Sequence, residues 1–178
     1  GLILAVKTAD CLPVLLVDLK RQAVGAFHAG WRGTLKRMVE KGVGEMRKQF
    51  GSDPADLRAA LGPGIHRCCY QVGEEVREKI AWQFAYAAEV FEERQETDVV
   101  RQRYPLMFLS ARAPGHTHIP RVLHLDLVEA NRRQLLAAGV RDIWSSGLCT
   151  GCNTDRLFSH RREGGFTGRM MAVVGIRR

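Results

Sequence analysis

Apolar positions follow two rhythms along this chain, and the alternation between them sets the expected architecture. Leu2 to Lys7 and Leu12 to Asp18 are apolar, branched runs of strand length, and Ala23 to His28 forms a third after the polar turn Leu19-Lys20-Arg21-Gln22. From Thr34 the spacing changes. Leu35, Met38, Val39, Val43, Met46 and Phe50 recur as on one face of a helix, with Gly51 placed to cap its end. Leu57 to Leu61 returns to strand and breaks at Gly62-Pro63-Gly64. A second helix is expected to begin near Gly73-Glu74-Glu75, with acidic residues in its first turn, and to run past Trp82. The stretch from Glu93 to Arg121 is polar, irregular and rich in arginine, as in a long loop or insertion. Val122 to Leu125 then predicts a short strand, Leu127 to Ala138 a helix ended by Gly139, and Asp142 to Ser145 and Met170 to Ile176 two more strands. Strands and helices interleave with no internal repeat, low-complexity run or linker. One domain over residues 1–178 is therefore expected, α+β or layered α/β, with mixed sheets.

Composition narrows the function classes. The 178 residues are 46% hydrophobic and 26% charged, globular proportions. No apolar run approaches the roughly 20 residues a membrane crossing needs, and no basic-then-apolar leader stands at the start. The chain opens directly on Gly1-Leu2-Ile3-Leu4-Ala5-Val6, core-strand composition with no turn before it, so further sequence is expected upstream. The net charge of +8 comes from scattered basic residues without interleaved aromatics. That pattern fits a solvated surface with some arginines kept for a small anionic ligand better than a nucleic-acid platform. Five cysteines (Cys11, Cys68, Cys69, Cys149 and Cys152) make an odd count unlike a secreted disulfide scaffold, so a reduced, cytoplasmic compartment is expected. Cys149-Thr150-Gly151-Cys152 is a lone CxxC and Cys68-Cys69 are adjacent. Tight packing or a labile thiol is expected there rather than a four-cysteine zinc site.

The candidate chemistry centres on Cys11 and His28. Pairing Asp18 with Ala23 sets Cys11 opposite Gly30 and diagonal to His28, on one face at about 7–8 Å between α-carbons. A metal bonded at about 2.3 Å to sulfur and about 2.0 Å to nitrogen bridges that span; a one-residue slip would separate the two residues. The pair reads equally as metal ligands, as a Cys-His thiol dyad with Cys11 the nucleophile and His28 its base, or as a buried cysteine beside a satisfied histidine. Asp10 is placed to orient His28, move a proton, accept a substrate hydroxyl or cap a turn. Arg32, at a strand end before a helix, is placed to grip phosphate or to lie free on the surface. Gly62 permits close approach of the backbone to a ligand or marks a simple turn.

Five colinear strings carry a resemblance: Lys7-Thr8-Ala9-Asp10-Cys11-Leu12-Pro13-Val14; His28-Ala29-Gly30-Trp31-Arg32-Gly33-Thr34; Gly62-Pro63-Gly64-Ile65; Cys68-Cys69-Tyr70-Gln71-Val72-Gly73; and Phe158-Ser159-His160-Arg161-Arg162 followed by Thr167-Gly168-Arg169-Met170. Together they resemble the YfiH-type laccase-domain, or polyphenol oxidase, family, several of whose members are regarded as purine nucleoside phosphorylases. The resemblance implies an α-β-β-α sandwich with mixed sheets, shared in outline with CNF-type deamidating toxins. It implies a zinc held by three residues, of which Cys11 and His28 match. The third, a histidine in a Gln-Val-His motif upstream of Thr-Ala-Asp-Cys, has no counterpart, since all six histidines lie at or beyond His28. The activity implied is zinc-dependent phosphorolysis of adenosine, inosine or guanosine, with adenosine deamination alongside; copper is disfavoured. The implied site is Asp10, Cys11, His28 and Arg32 for catalysis, with Arg32, Gly62, His160 and Arg162 on the substrate. Arg162 matches the family more firmly than Arg161 does. The implied partners are a purine nucleoside and phosphate, with no nucleic acid or membrane and with homo-oligomerisation left open. Two readings compete with it: the thiol hydrolase, and a catalytically impaired piece lacking its third zinc ligand.

Overall fold

The hairpin that carries Cys11 and His28 is the spine of the structure, a computed structural model that describes residues 1–95 and 121–177. Strand β2 (Leu12–Asp18) and strand β3 (Ala23–Ala29) pair antiparallel from Leu12 opposite Ala29 to Asp18 opposite Ala23, the register expected from the turn. Asp18 fixes that turn: its Oδ1 accepts the amides of Lys20 and Arg21, each at 2.9 Å, and Gln22 takes a left-handed φ of 50°. On the other side of β2 lies β4 (Arg58–Leu61), antiparallel, followed by β8 (Asp142–Ser145), parallel to β4. The order β3-β2-β4-β8 thus makes one mixed sheet. Leu12, Val14 and Leu16 alternate inward from β2 and are fully buried, so the central strand supplies the centre of the core.

Helix α2 (Met38–Phe50) covers this sheet with Val39, Val43 and Met46. Its Gly42 lets the Phe27 ring of β3 pack close, since a Cβ there would come within 2.6 Å of that ring. Gly51 ends α2 at φ 67°, as the sequence predicts. The helix does not run unbroken from Thr34, however. A short α1 (Trp31–Leu35) comes first, and Arg37 sits at φ 56° between the two. The apolar spacing continues across this break and so conceals it. Remote contacts hold it: the Arg37 guanidinium lies 4.6 Å from the centre of the Phe84 ring, and its Nη2 donates to the Gln83 carbonyl at 3.3 Å.

Helix α3 (Glu74–Gln83) and helix α5 (Leu127–Ala137), with the short α4 (Ala87–Val90) between them, flank this core. Buried amides tie α5 to α1. Asn131 donates to Thr34 Oγ1 at 2.9 Å and Gln134 to the Thr34 carbonyl at 2.8 Å. A three-stranded antiparallel sheet runs in the order β5 (Gln71–Val72), β7 (Arg121–Leu125), β6 (Phe91–Gln95). Glu93 to Gln95 therefore belong to a strand and not to the expected loop. Ion pairs of Glu93 with Arg77 at 2.8 Å and of Glu92 with Arg94 at 2.7 Å accompany the pairing, and no hydrophobic alternation announces it. Arg121, at the other end of the expected loop, likewise opens strand β7, while residues 96–120, including His116 and His118, lie outside the described residues. Finally β1 (Ile3–Thr8) pairs antiparallel with β9 (Met170–Gly175). The class is α+β with mixed sheets, as expected. Among the described residues, no helix is long and apolar enough to cross a membrane.

Candidate active site

Asp10 organises the loops around the start of β2. It takes a left-handed φ of 80° in the tight connection from β1, a conformation that aspartate tolerates better than most residues. Its carboxylate is almost fully buried. Oδ1 accepts the Thr150 hydroxyl at 2.6 Å and the Ser159 hydroxyl at 2.8 Å, and Oδ2 accepts the Arg161 amide at 2.6 Å. Its carbonyl accepts the Ile65 amide at 2.8 Å. Three remote segments are thereby pinned to the residue before Cys11. Both oxygens of the Asp10 carboxylate are thus engaged in holding these segments.

Cys11 lies beside Gly30, whose missing side chain leaves room for its sulfur: a Cβ at position 30 would stand 2.6 Å from Cys11 Sγ. Burial pushes the Cys11 thiol up, the Asp10 charge adds to this, and Arg169 opposes it. His28 is exposed on β3, opposite Pro13. Its Nδ1 stands 3.1 Å from the Lys7 carbonyl. A carbonyl only accepts, so in this contact Nδ1 is the donor and Nε2 is the nitrogen turned to other partners. That backbone-carbonyl partner is the arrangement metal-binding histidines use to fix their tautomer. A soft sulfur and an oriented imidazole suit zinc, yet the described residues hold no third histidine, cysteine or carboxylate gathered with them. Among the described residues the pair therefore offers fewer donors than the three protein ligands a catalytic zinc usually takes.

Beside these residues opens a cavity of about 410 Å³ lined by Trp31, Arg32, Tyr70, Gln71, Gly73, Glu75 and Arg161. The Arg32 guanidinium lies 4.6 Å from the centre of the Trp31 ring. Arg161 lies 5.4 Å from the centre of the Tyr70 ring and donates to the Gln71 carbonyl, so one edge of its guanidinium is held and the rest is left for a ligand. Burial raises the Tyr70 hydroxyl to about 12, reinforced by nearby Cys11 and Asp10 and opposed by Arg161 and Arg32. Tyr70 is thus neutral and a hydrogen-bond donor near neutral pH. It links the arginine-lined cavity to Cys11.

Of the substrate-binding residues expected from sequence, only Arg32 lines this cavity. Arg162 does not. Its amide donates to Ser159 Oγ at 3.3 Å, and its side-chain stem passes 3.6 Å from where a Cβ on Gly151 would lie, so it runs toward the CxxC turn. The cationic partner of Arg32 is Arg161, because Asp10 holds the Arg161 amide and the stack on Tyr70 directs its side chain. His160 is exposed with its carbonyl tied to the Gly165 amide at 2.9 Å. Gly62 is required by packing: a Cβ there would strike the Pro13 ring at 2.7 Å. Tyr70 received no role from the sequence, although its place between Cys69 and the Gln71-Val72 strand put it inside a recognised motif. Cys68, Cys69, Cys149 and Cys152, expected to pack tightly or to present a labile thiol, gather so that their sulfur atoms all lie within 4.8 Å of one another. Chain proximity could not bring them together, because Cys68-Cys69 and the CxxC turn are far apart in sequence.

Residues 1–177 match the family model described as multi-copper polyphenol oxidoreductase laccase. The chain belongs to this family. Among curated relatives in this laccase family, it is 40% identical over its full length to a protein of Deinococcus radiodurans named purine nucleoside phosphorylase, covering 58% of that protein. It is 37% identical over 99% of its length to purine nucleoside phosphorylase YlmD of Geobacillus stearothermophilus, covering 57% of it. A protein from an unidentified prokaryote named adenosine deaminase RL5 is 36% identical over 98% of the chain. The solved structure of YfiH from Bacillus licheniformis superposes with a TM-score of 0.78 at 35% identity over 98% of this chain and 58% of that one. The chain spans somewhat over half the length of the relatives it matches.

Proposed function

We propose that this protein cleaves the N-glycosidic bond of purine nucleosides with inorganic phosphate as nucleophile. The observation that carries the reading is the convergence of Arg32 and Arg161 on one cavity beside Cys11, with a neutral tyrosine between them. Phosphorolysis places a phosphate oxygen against the ribose C1′ as the bond to the purine nitrogen breaks. The electron pair leaves with the base, which takes up a proton, while positive charge develops on the sugar. Two guanidiniums fixed by Trp31, Tyr70 and Gln71 hold the phosphate at low reorganisation cost, and their fork geometry suits its oxygens. The faces of Trp31 and Tyr70 offer apolar surface to the base or ribose. The Tyr70 hydroxyl donates a hydrogen bond and stays protonated throughout.

Cys11 and His28 are the residues that would hold zinc, which when bound activates water, as adenosine deamination requires. The described residues supply two donors to that pair, so no step of the phosphorolysis is assigned to the metal. The name of the RL5 relative supports deamination as a second activity of the same site. The thiol-hydrolase reading has less support, because no hydrogen bond joins Cys11 to His28 and burial disfavours the thiolate. The same reading takes the chain as one domain acting on a small-molecule substrate in the cytoplasm. Incubating the purified protein with inosine and phosphate should yield hypoxanthine and ribose 1-phosphate in equal amounts. Base release with free ribose, unchanged when phosphate is omitted, would overturn the proposal.

A further inference from the structure

Four thiols from two remote stretches of chain meet in one place outside the cavity. The turn after His66 presents Cys68 and Cys69, and the amides of Cys69 and Tyr70 both return to the His66 carbonyl at 2.9 Å. The second stretch is the knuckle Cys149-Thr150-Gly151-Cys152, closed by the Cys152 and Asn153 amides on the Cys149 carbonyl at 3.3 and 3.1 Å. Parallel bridging at Gly64 and Cys149, with the Thr150 amide on the Gly64 carbonyl at 3.0 Å, clamps the two stretches together.

The resulting geometry is that of a single-ion cage. Cys152 Sγ lies 3.5 Å from Cys68 Sγ and 3.4 Å from Cys69 Sγ, and the four sulfurs are mutually within 4.8 Å. A tetrahedral ion bonded at about 2.3 Å to four sulfurs sets them about 3.8 Å apart, inside that range. The His66 amide points at Cys149 Sγ at 3.4 Å. Backbone N–H groups aimed at a sulfur favour its ligating, anionic form. Gly151 makes the approach possible, because a Cβ there would lie 2.8 Å from Cys69 Cβ. All five cysteines are free thiols. Cys152 faces Cys68 and Cys69 almost equally, so no single disulfide pairing is singled out, whereas one ion engages all four sulfurs.

We propose that Cys68, Cys69, Cys149 and Cys152 bind one tetrahedral zinc ion in a structural site separate from the Cys11–His28 pair. Four sulfurs with no oxygen or nitrogen donor select a thiophilic ion, and four protein ligands leave no open position for catalysis. The ion displaces the thiol protons as it binds. Its position matters to the neighbouring cavity: Tyr70 follows Cys69 directly, and Thr150 within the knuckle donates to Asp10. The site therefore braces two of the elements that align Tyr70 and Cys11.

The test removes the other donor pair first and does not read activity. Protein carrying C11S and H28A, purified without chelator and dialysed, should retain one equivalent of zinc by elemental mass spectrometry. Addition of C149S should abolish it. Should that variant fail to fold, cobalt exchange into the C11S/H28A protein gives an independent reading, with the intense visible bands of tetrahedral cobalt–thiolate expected. Zinc well below one equivalent in C11S/H28A, iron in its place, or a disulfide among these four residues by peptide mapping would each overturn the assignment.

Discussion

At the scale of single residues, Asp10 and Arg161 show what neighbouring chemistry adds to a motif. Asp10 stood next to a candidate nucleophile and carried a list of catalytic roles. The structure gives it three donors from Thr150, Ser159 and Arg161, and so a structural role that spacing could not reveal, since those partners lie some 140 or more positions away. Hydrogen bonds to a charged group contribute about 1.5–3 kcal/mol each, and a buried group left facing the wrong partner costs about 1–3 kcal/mol. Asp10→Asn keeps the left-handed turn accessible and one oxygen in place, but removes the charge that strengthens all three hydrogen bonds and sets an amide NH₂ either against the Arg161 N–H or where the hydroxyls must turn from donors to acceptors. Urea denaturation should show a loss of about 2 kcal/mol, and a loss under about 0.5 kcal/mol would contradict the role. Arg161 and Arg162 are adjacent, and similarity of motif favoured Arg162. Adjacent residues in a turn diverge, so only the placed backbone could decide which guanidinium meets Arg32.

At the scale of elements, legibility followed whether a signal was local. The β2–β3 register was readable because the turn length and the inward alternation of Leu12, Val14 and Leu16 specify it together. It correctly set Cys11 against Gly30 and on the His28 face. The break at Arg37 was hidden because its remote contacts come from Phe84 and the Gln83 carbonyl. The three-stranded sheet was hidden because β5 has two residues and β6 is charged, so neither shows apolar alternation. The packing of α2 on β3 can be tested at Gly42. Gly42→Val forces a branched side chain into the Phe27 ring, which lies 2.6 Å from the first added carbon. Overpacking of this kind costs about 1–3 kcal/mol, readable as a lower midpoint in thermal unfolding. An unchanged midpoint would show that the helix does not press on Phe27.

At the scale of the whole molecule, long-range assembly creates both candidate sites. The cavity joins Arg32 from α1, Tyr70 before β5 and Arg161 from the segment before β9. The four sulfurs come from two of those same regions. Family resemblance anticipated the fold, and the family match supports it, while the pairing of guanidiniums and the cysteine cluster required the assembled chain. The proposed function stands on Arg32 and Arg161 as its phosphate subsite. The most direct measurement is the phosphate KM in nucleoside phosphorolysis for the protein and for its R161A and R162A variants. Loss of one charge-assisted contact of about 1.5–3 kcal/mol should raise the phosphate KM by roughly 10- to 150-fold in R161A, with R162A within about twofold of the parent. A raised phosphate KM in R162A with R161A unchanged would contradict the account.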